Sequence, residues 1–182
     1  LIAAAFGRYL FLPLILGTAW AFAPYIAYRL SFSAEIKRER LLPEQLYALR
    51  MLAARTFRYF YEGMNKDTHY LPPDNFQQRP FIGFADRTSA TNIGFGALAP
   101  LCAAYMRLIS PARALKMLEE TLSSIESLEK WHGNLYNWYR ISDLAPMEPK
   151  YVSSVDSGNF LCCLLACRGM LSDMLRHSIM DG

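Results

Sequence analysis

Apolar and polar positions along this chain follow two patterns in turn: amphipathic stretches at helical spacing, and runs that are apolar almost all round. Leu46, Leu49, Ala53, Phe57 and Phe60 recur at helical spacing behind Leu42-Pro43-Glu44, with Arg50, Arg55 and Arg58 between them. A proline at the first helical position and an acid in the first turn mark the start, so an amphipathic helix is predicted over 43–62, ended by Gly63. Residues 63–88 hold prolines and Asp and Asn turn formers without a steady period, and read as a long loop. Ser89 to Ile109, SATNIGFGALAPLCAAYMRLI, is apolar nearly all round and rich in small residues. That predicts a helix buried on several sides, with a kink at Pro100. Ser110-Pro111 opens a third helix over 111–131, with Leu115, Leu118, Leu122, Ile125 and Leu128 on one stripe and Lys116, Glu119, Glu120, Glu126 and Glu129 on the wet side. A second long loop covers 132–155, and a last helix opens near Asp156 and runs through NFLCCLLACRGML to about His177.

Taken as a set, half-wet helices alternate with fully apolar ones. Long loops join the first helix to the second and the third to the fourth, while the second and third are joined almost directly. Antiparallel succession then puts both long loops at one end. The predicted fold is all-α: a partial α/α toroid, two antiparallel hairpins of an expected six, with half-wet helices outside and buried ones inside. The spacing agrees, because TNIGF at Thr91–Phe95 and DSGNF at Asp156–Phe160 lie 65 residues apart. Six hairpins of that size close a ring of roughly 400 residues, whereas tetratricopeptide solenoids repeat about every 34.

Composition adds a membrane question. The hydrophobic share is 53%, above that of an ordinary soluble domain, and much of the excess lies before residue 30. Tyr9 to Tyr28 reads YLFLPLILGTAWAFAPYIAY without a charge, just long enough to span a bilayer. Membrane helices tolerate prolines such as Pro13 and Pro24, and Trp20, Tyr25 and Tyr28 suit an interface. A signal peptide fits poorly, since the run is long and no small-residue cleavage site follows. Arg29, Lys37, Arg38 and Arg40 follow the segment and Arg8 alone precedes it; the positive-inside rule then puts residues 30–182 in the cytoplasm. The expected organisation is an apolar membrane-associated segment at 1–30, a basic linker at 31–42, and the first part of a helical toroid at 43–182. The start at Leu1 rather than Met leads us to expect missing upstream residues.

The net charge of +3 is mild and scattered along the chain; nucleic acid would prefer a basic stripe with interleaved aromatics, none is seen, and no nucleic-acid partner is expected, although charge decides little. Cys102, Cys162, Cys163 and Cys167 form neither a disulfide framework nor, with His132 and His177, a standard metal spacing. They read as buried thiols in a reducing compartment, and no metal site is expected.

The two loops are chemically rich for connectors. The first carries YLPPDNFQ (Tyr70–Gln77) and DRTSATNIG (Asp86–Gly94); the second carries GNLYNWY (Gly133–Tyr139) and YVSSVDSGN (Tyr151–Asn159). Aromatic faces cover the C–H patches of a pyranose, while carboxylates, amides and guanidinium groups divide its hydroxyls. Candidate substrate-binding residues are Asp74, Asn75, Arg87, Thr88 and Asn92 in the first loop, and Tyr136, Asn137, Trp138, Tyr139, Asp156, Ser157 and Asn159 in the second. The plainer alternative is structural: Ser154, Asp156 and Ser157 capping the fourth helix, Ser89 the second, Asn92 and Asn159 tying backbone, and Trp138 and Tyr139 packing the loop.

In that order and spacing, LPPDNFQ, RTSATNIG, LYNWY and YVSSVDSGN resemble the glycoamylase-like domain of cyclic β-1,2-glucan synthases, over about Leu41–Leu171. The stretch before it resembles the membrane-proximal segment of the same proteins. The resemblance implies an α/α toroid that acts on β-1,2-glucan by transglycosylation and cyclisation, in a bacterial inner-membrane protein. It also implies a membrane-embedded glycosyltransferase before the toroid, using UDP-glucose, and a phosphorylase-like domain after it. The fragment itself calls for no cofactor, and its partners are a β-glucan oligosaccharide, the membrane through residues 9–28, and the rest of the parent chain. The family's catalytic carboxylates are expected beyond Gly182, so the fragment alone is expected to be inactive. Two positions depart from the family: Ala90 stands where proline is usual, and Arg140 where an acid follows the YNWY run. A stand-alone toroid hydrolase and a non-catalytic helical scaffold are the competing readings.

Overall fold

The computed structural model describes residues 2–31 and 40–180, which fall in two compact units, Leu1–Leu41 and Leu42–Gly182. In the first, α1 (Ile2–Ser31) runs as one helix through Pro13 and Pro24. Trp20 is 80% and Leu14 68% exposed, and the Thr18 hydroxyl donates to the Leu14 carbonyl at 2.7 Å. Most of the expected basic linker lies outside the described residues.

The second unit holds α2 (Pro43–Gly63), α3 (Ala90–Tyr105), α4 (Pro111–Ser127) and α5 (Ser154–Met180). It also holds six two-residue strands: β1 (Phe76–Gln77), β2 (Gly83–Phe84), β3 (Thr88–Ser89), β4 (Lys130–Trp131), β5 (Asn134–Leu135) and β6 (Trp138–Tyr139). α3 and α5 run parallel and in register, because Thr91 meets Asp156 at one end and Tyr105 meets Asp173 at the other. The small residues of α3 permit that closeness: a Cβ on Gly94 would sit 3.1 Å from the Cys163 Cβ and 3.2 Å from the Phe160 Cα. One core cluster joins Leu71, Ala90, Ile93, Ile125, Leu128, Leu135 and Tyr139 near the helix starts. The other joins Ala97, Leu101, Ala104, Ala114, Leu118 and Cys167 lower down. These are inner helices α3 and α5 flanked by outer α2 and α4, the two hairpins of an α/α toroid. Ser154–Arg176 is also long and apolar enough to cross a membrane by composition, a property that an inner helix of a toroid shares.

The helix limits differ from the sequence pattern for local reasons. α3 stops at Tyr105 because Arg107 turns left-handed (φ 56°), with the Leu108 N–H returning to the Ala103 carbonyl. α4 stops at Ser127 because the Lys130 ammonium takes the carbonyls of Ile125, Glu126 and Leu128 at 2.7, 3.1 and 3.0 Å. His132 and Gly133, both at positive φ, then fold β4 onto β5. α3 passes through Pro100, which is fully buried, without a break. Ala90, in the position where the family resemblance makes proline usual, is 1% exposed and begins α3, and the Asn92 N–H donates to the capping Ser89 hydroxyl.

Candidate functional site

The two long loops meet where β3 pairs antiparallel with β6, Thr88 opposite Tyr139 and Ser89 opposite Trp138. That ladder sits at the N-termini of α3 and α5. The first loop reaches it over a well-fitted floor. Leu71, Pro72 and Pro73 are buried, with Pro72 lying against Gly96 of α3, and the Tyr59 hydroxyl donates to the Pro73 carbonyl at 2.7 Å. Just before, His69 and Tyr70 are both left-handed, and the hydroxyls of Ser124 and Thr121 on α4 hold their carbonyls.

Asp74 is the first hub. Its Oδ2 accepts from Arg87 Nη2 at 2.9 Å, Arg87 Nε at 3.2 Å and Asn75 Nδ2 at 3.1 Å, and its Oδ1 accepts from Asn92 Nδ2 at 3.0 Å. The Arg87 guanidinium lies 4.9 Å from the centroid of the Trp138 ring, within cation–π range. Asp156 is the second hub. Its Oδ1 accepts from the Thr91 hydroxyl at 2.7 Å, and Thr91 in turn accepts from Asn159 Nδ2 at 3.1 Å. Its Oδ2 accepts from the Ser153 hydroxyl at 2.5 Å, and Ser153 caps the helix through the Asp156 N–H at 3.2 Å.

Asn137, 6% exposed, connects the hubs. Its neighbours fix the amide orientation: the Trp138 indole N–H must meet an acceptor and the Asp156 carboxylate a donor. In that orientation Asn137 Nδ2 donates to Asp156 Oδ2 at 3.0 Å, while its Oδ1 accepts from Trp138 Nε1 and the Tyr151 hydroxyl, both at 2.6 Å. One polar chain therefore runs from Asp74 through Arg87, Trp138, Asn137, Asp156 and Thr91 to Asn159. All seven residues lie at the same end of the unit.

Not every candidate belongs to that chain. Thr88 and Tyr139 have no exposed surface, which corrects their expected place on a binding surface. The Tyr139 hydroxyl accepts from the Tyr136 N–H at 2.8 Å and donates to the Glu129 carbonyl at 2.7 Å, and burial pushes its pKa up to about 12. Tyr136 packs against Tyr139 and sits 5.6 Å from the Lys150 ammonium. The Ser157 hydroxyl is buried without a partner; Ser157 lines a cavity of about 370 Å³ with Leu135, Phe160 and Leu164, not the polar chain. Asp86 accepts from the backbone and hydroxyl of Ser142 at 2.8 and 2.7 Å. Arg140 pairs with Asp143 at 2.7 Å on the surface. The Ala145 N–H and then Arg140 hold the Asp143 carboxyl below its ordinary range.

Thr91, Ser153 and Tyr151 were missed as members of the network. A signal existed for Thr91, which occupies the same repeat position as Asp156. The cysteines are free, and burial raises the pKa of Cys102 and Cys163 and pushes that of Cys167 up to about 11.

No protein-family model matches the chain. The cyclic β-(1,2)-glucan synthase NdvB of Rhizobium meliloti (strain 1021) is 40% identical over 161 residues, which cover 88% of this chain and 6% of that protein. Among solved structures, the β-1,2-glucanase of Parabacteroides distasonis superposes with a TM-score of 0.59 at 21% identity, over 72% of this chain and 18% of that one. The endo-β-1,2-glucanase of Chitinophaga pinensis, solved with sophorotriose and glucose, gives 0.54 at 18% identity over 69% and 31%. A glucoamylase-like protein of Bacteroides fragilis NCTC 9343 gives 0.57 at 17% identity over 73% and 32%. These structures establish the fold alone. The chain is thus similar over nearly its whole length to one short segment of a cyclic β-(1,2)-glucan synthase, and it folds as part of a glucoamylase-like toroid.

Proposed function

We propose that this chain is the first part of the glucan-acting toroid of a membrane-associated β-1,2-glucan synthase, and that its rim binds β-glucan during transglycosylation or cyclisation. The observation that carries this reading is the polar chain from Asp74 to Asn159, which holds the half-buried Trp138 ring between two hydrogen-bonded carboxylates at the helix starts. Such a surface offers a pyranose both an apolar face and fixed donors and acceptors.

Cleavage of a glycosidic bond needs two carboxyl groups flanking it. Asp74, Asp86 and Asp156 each spend both oxygens on neighbours. The catalytic acids are therefore proposed to lie elsewhere in the parent chain, as is the nucleotide-sugar site for UDP-glucose. The synthase relative favours this reading over a stand-alone hydrolase, and the aromatic-rich rim loops speak against a bare scaffold. We assign α1 to the membrane through residues 9–28. A helix of 30 residues is about 45 Å long and exceeds the roughly 30 Å hydrocarbon layer. Residues 30–182 are placed on the cytoplasmic side.

The test is binding of linear β-1,2-glucan to the detergent-solubilised parent protein, with Trp138 oxidation followed by footprinting. Protection of Trp138 by glucan is expected. An unprotected Trp138 at saturating glucan overturns the rim reading. Protease accessibility of residues 30–182 in inverted but not right-side-out vesicles checks the orientation.

A further inference from the structure

We infer that the β1–β2 hairpin is a second sugar platform, on which a long glucan bound at the rim lays further pyranose faces. This inference rests on the glucan-binding reading of the rim. The hairpin pairs Phe76 with Phe84 and Gln77 with Gly83, and closes with the Ile82 N–H on the Gln77 carbonyl at 3.1 Å. Gly83, at φ 85°, supplies the left-handed residue of the return. Its roots are tied to the rim: the Asp74 N–H donates to the Arg87 carbonyl at 2.8 Å and the Ala85 N–H to the Asn75 carbonyl at 2.9 Å.

The aromatic rings brace one another from the base outward. Phe84 lies 5.7 Å from Tyr59 and 4.9 Å from Phe76, and Phe76 lies 6.0 Å from Phe81, all edge to face. The inner rings, Tyr59 and Phe84, are half-buried, whereas Phe76 is 45%, Phe81 76% and Ile82 66% exposed. An apolar tip held this firmly in water is a surface ready for a partner. Gln77, Gln78 and Arg79 flank the rings in sequence, and their amide and guanidinium groups suit a hydroxyl-rich partner better than a lipid tail or an apolar protein face. The same hairpin root carries Arg87, whose guanidinium covers Trp138, so both platforms share one support.

Hydroxyl-radical footprinting of the detergent-solubilised parent protein tests this, with a β-1,2-linked disaccharide and a long linear β-1,2-glucan as probes. The expected result is protection of Trp138 by both and of Phe81 by the long glucan alone. If Trp138 is protected while Phe81 stays reactive with every glucan, the platform is overturned and the rim reading stands. If neither is protected, both fall. Protection of Phe81 that rises with protein concentration in the absence of glucan would assign the tip to a second copy and overturn the platform. In Phe81→Ala the ratio of long-glucan to disaccharide affinity should fall about two- to tenfold, the size of one aromatic contact, and Phe81→Tyr should restore it. An unchanged ratio overturns the inference.

Discussion

Thr91 and Asp156 stand at matching positions of the two inner helices, 65 residues apart, and the Thr91 hydroxyl donates to the Asp156 carboxylate at 2.7 Å. The repeat therefore contacts itself: the start of one inner helix is fastened to the start of the next, at the point where both rim loops arrive.

Removing that donor should loosen the rim. Thr91→Val leaves the Asn159 amide without its acceptor and Asp156 Oδ1 without its hydroxyl partner, a loss of about 1–3 kcal/mol for a partly buried polar pair. Amide hydrogen exchange at the start of α5 should accelerate and glucan affinity should fall, while Thr91→Ser keeps both near the wild-type value. Unchanged exchange in Thr91→Val would show that the bond carries nothing.

How much of this was legible depended on whether a residue's neighbours were near in sequence. The stripe from Leu115 to Ile125 and the Ser110-Pro111 start gave α4, since both are local signals. The β3–β6 ladder was not readable, because two-residue strands have no period and their pairing spans separate loops. Asp74, Arg87, Asn92, Asn137, Trp138, Asp156 and Asn159 stand out by chemical type; six of them fall in the polar chain, and Asn92 branches from it as a donor to Asp74 Oδ1. Thr88 and Tyr139 carried the same polar signal yet are interior, because the ladder turns both inward. Arg140 looked anomalous in sequence, and its short pairing with Asp143 became visible only in three dimensions.

The floor beneath the first loop predicts a steric effect. A Cβ at Gly96 would lie 2.7 Å from the Pro72 Cγ and 2.8 Å from its Cδ. A proline ring cannot rotate away, and Pro72 is fully buried. Gly96→Ala should therefore cost about 1–3 kcal/mol of overpacking, seen as a lower unfolding temperature. Gly158→Ala, with open space around the new methyl, serves as the comparison. Equal stability of the two variants would contradict this packing.

Tyr139 gives a pH dependence. Its phenol ionises near 10 in an unfolded chain, and burial, the largest influence, raises this to about 12 in the fold. The neutral phenol's advantage to the fold is complete below pH 10 and is lost as pH rises from about 10 to about 12. Stability measured from pH 8 to 12 should fall more steeply in the wild type than in Tyr139→Phe. At neutral pH the variant should be about 1 kcal/mol weaker through the lost hydrogen bond. Parallel curves across pH 10–12 would show that Tyr139 does not contribute.

Two hairpins leave the lateral faces of the inner helices uncovered: Phe95 is 48%, Leu161 57% and Leu165 55% exposed, although Leu101 is fully covered by its neighbours. The outer helix α2 adds Leu46 at 54% and Leu52 at 61%, and a groove of about 470 Å³ lined by Leu49, Phe57, Phe60 and Cys102 lies between it and α3. Burying one such side chain contributes roughly 1.5–3 kcal/mol, against a net domain stability of only about 5–15 kcal/mol. Leaving several in water removes a large part of that margin and favours association. Residues 30–182 expressed alone should therefore elute as assemblies rather than as a monomer, unfold without a sharp transition, and leave linear β-1,2-glucan unchanged. A cooperative monomer would contradict the incomplete-ring argument. Turnover of the glucan would place the catalytic acids within this chain, with Asp74, Asp86 or Asp156 giving up the partners that now occupy both their oxygens.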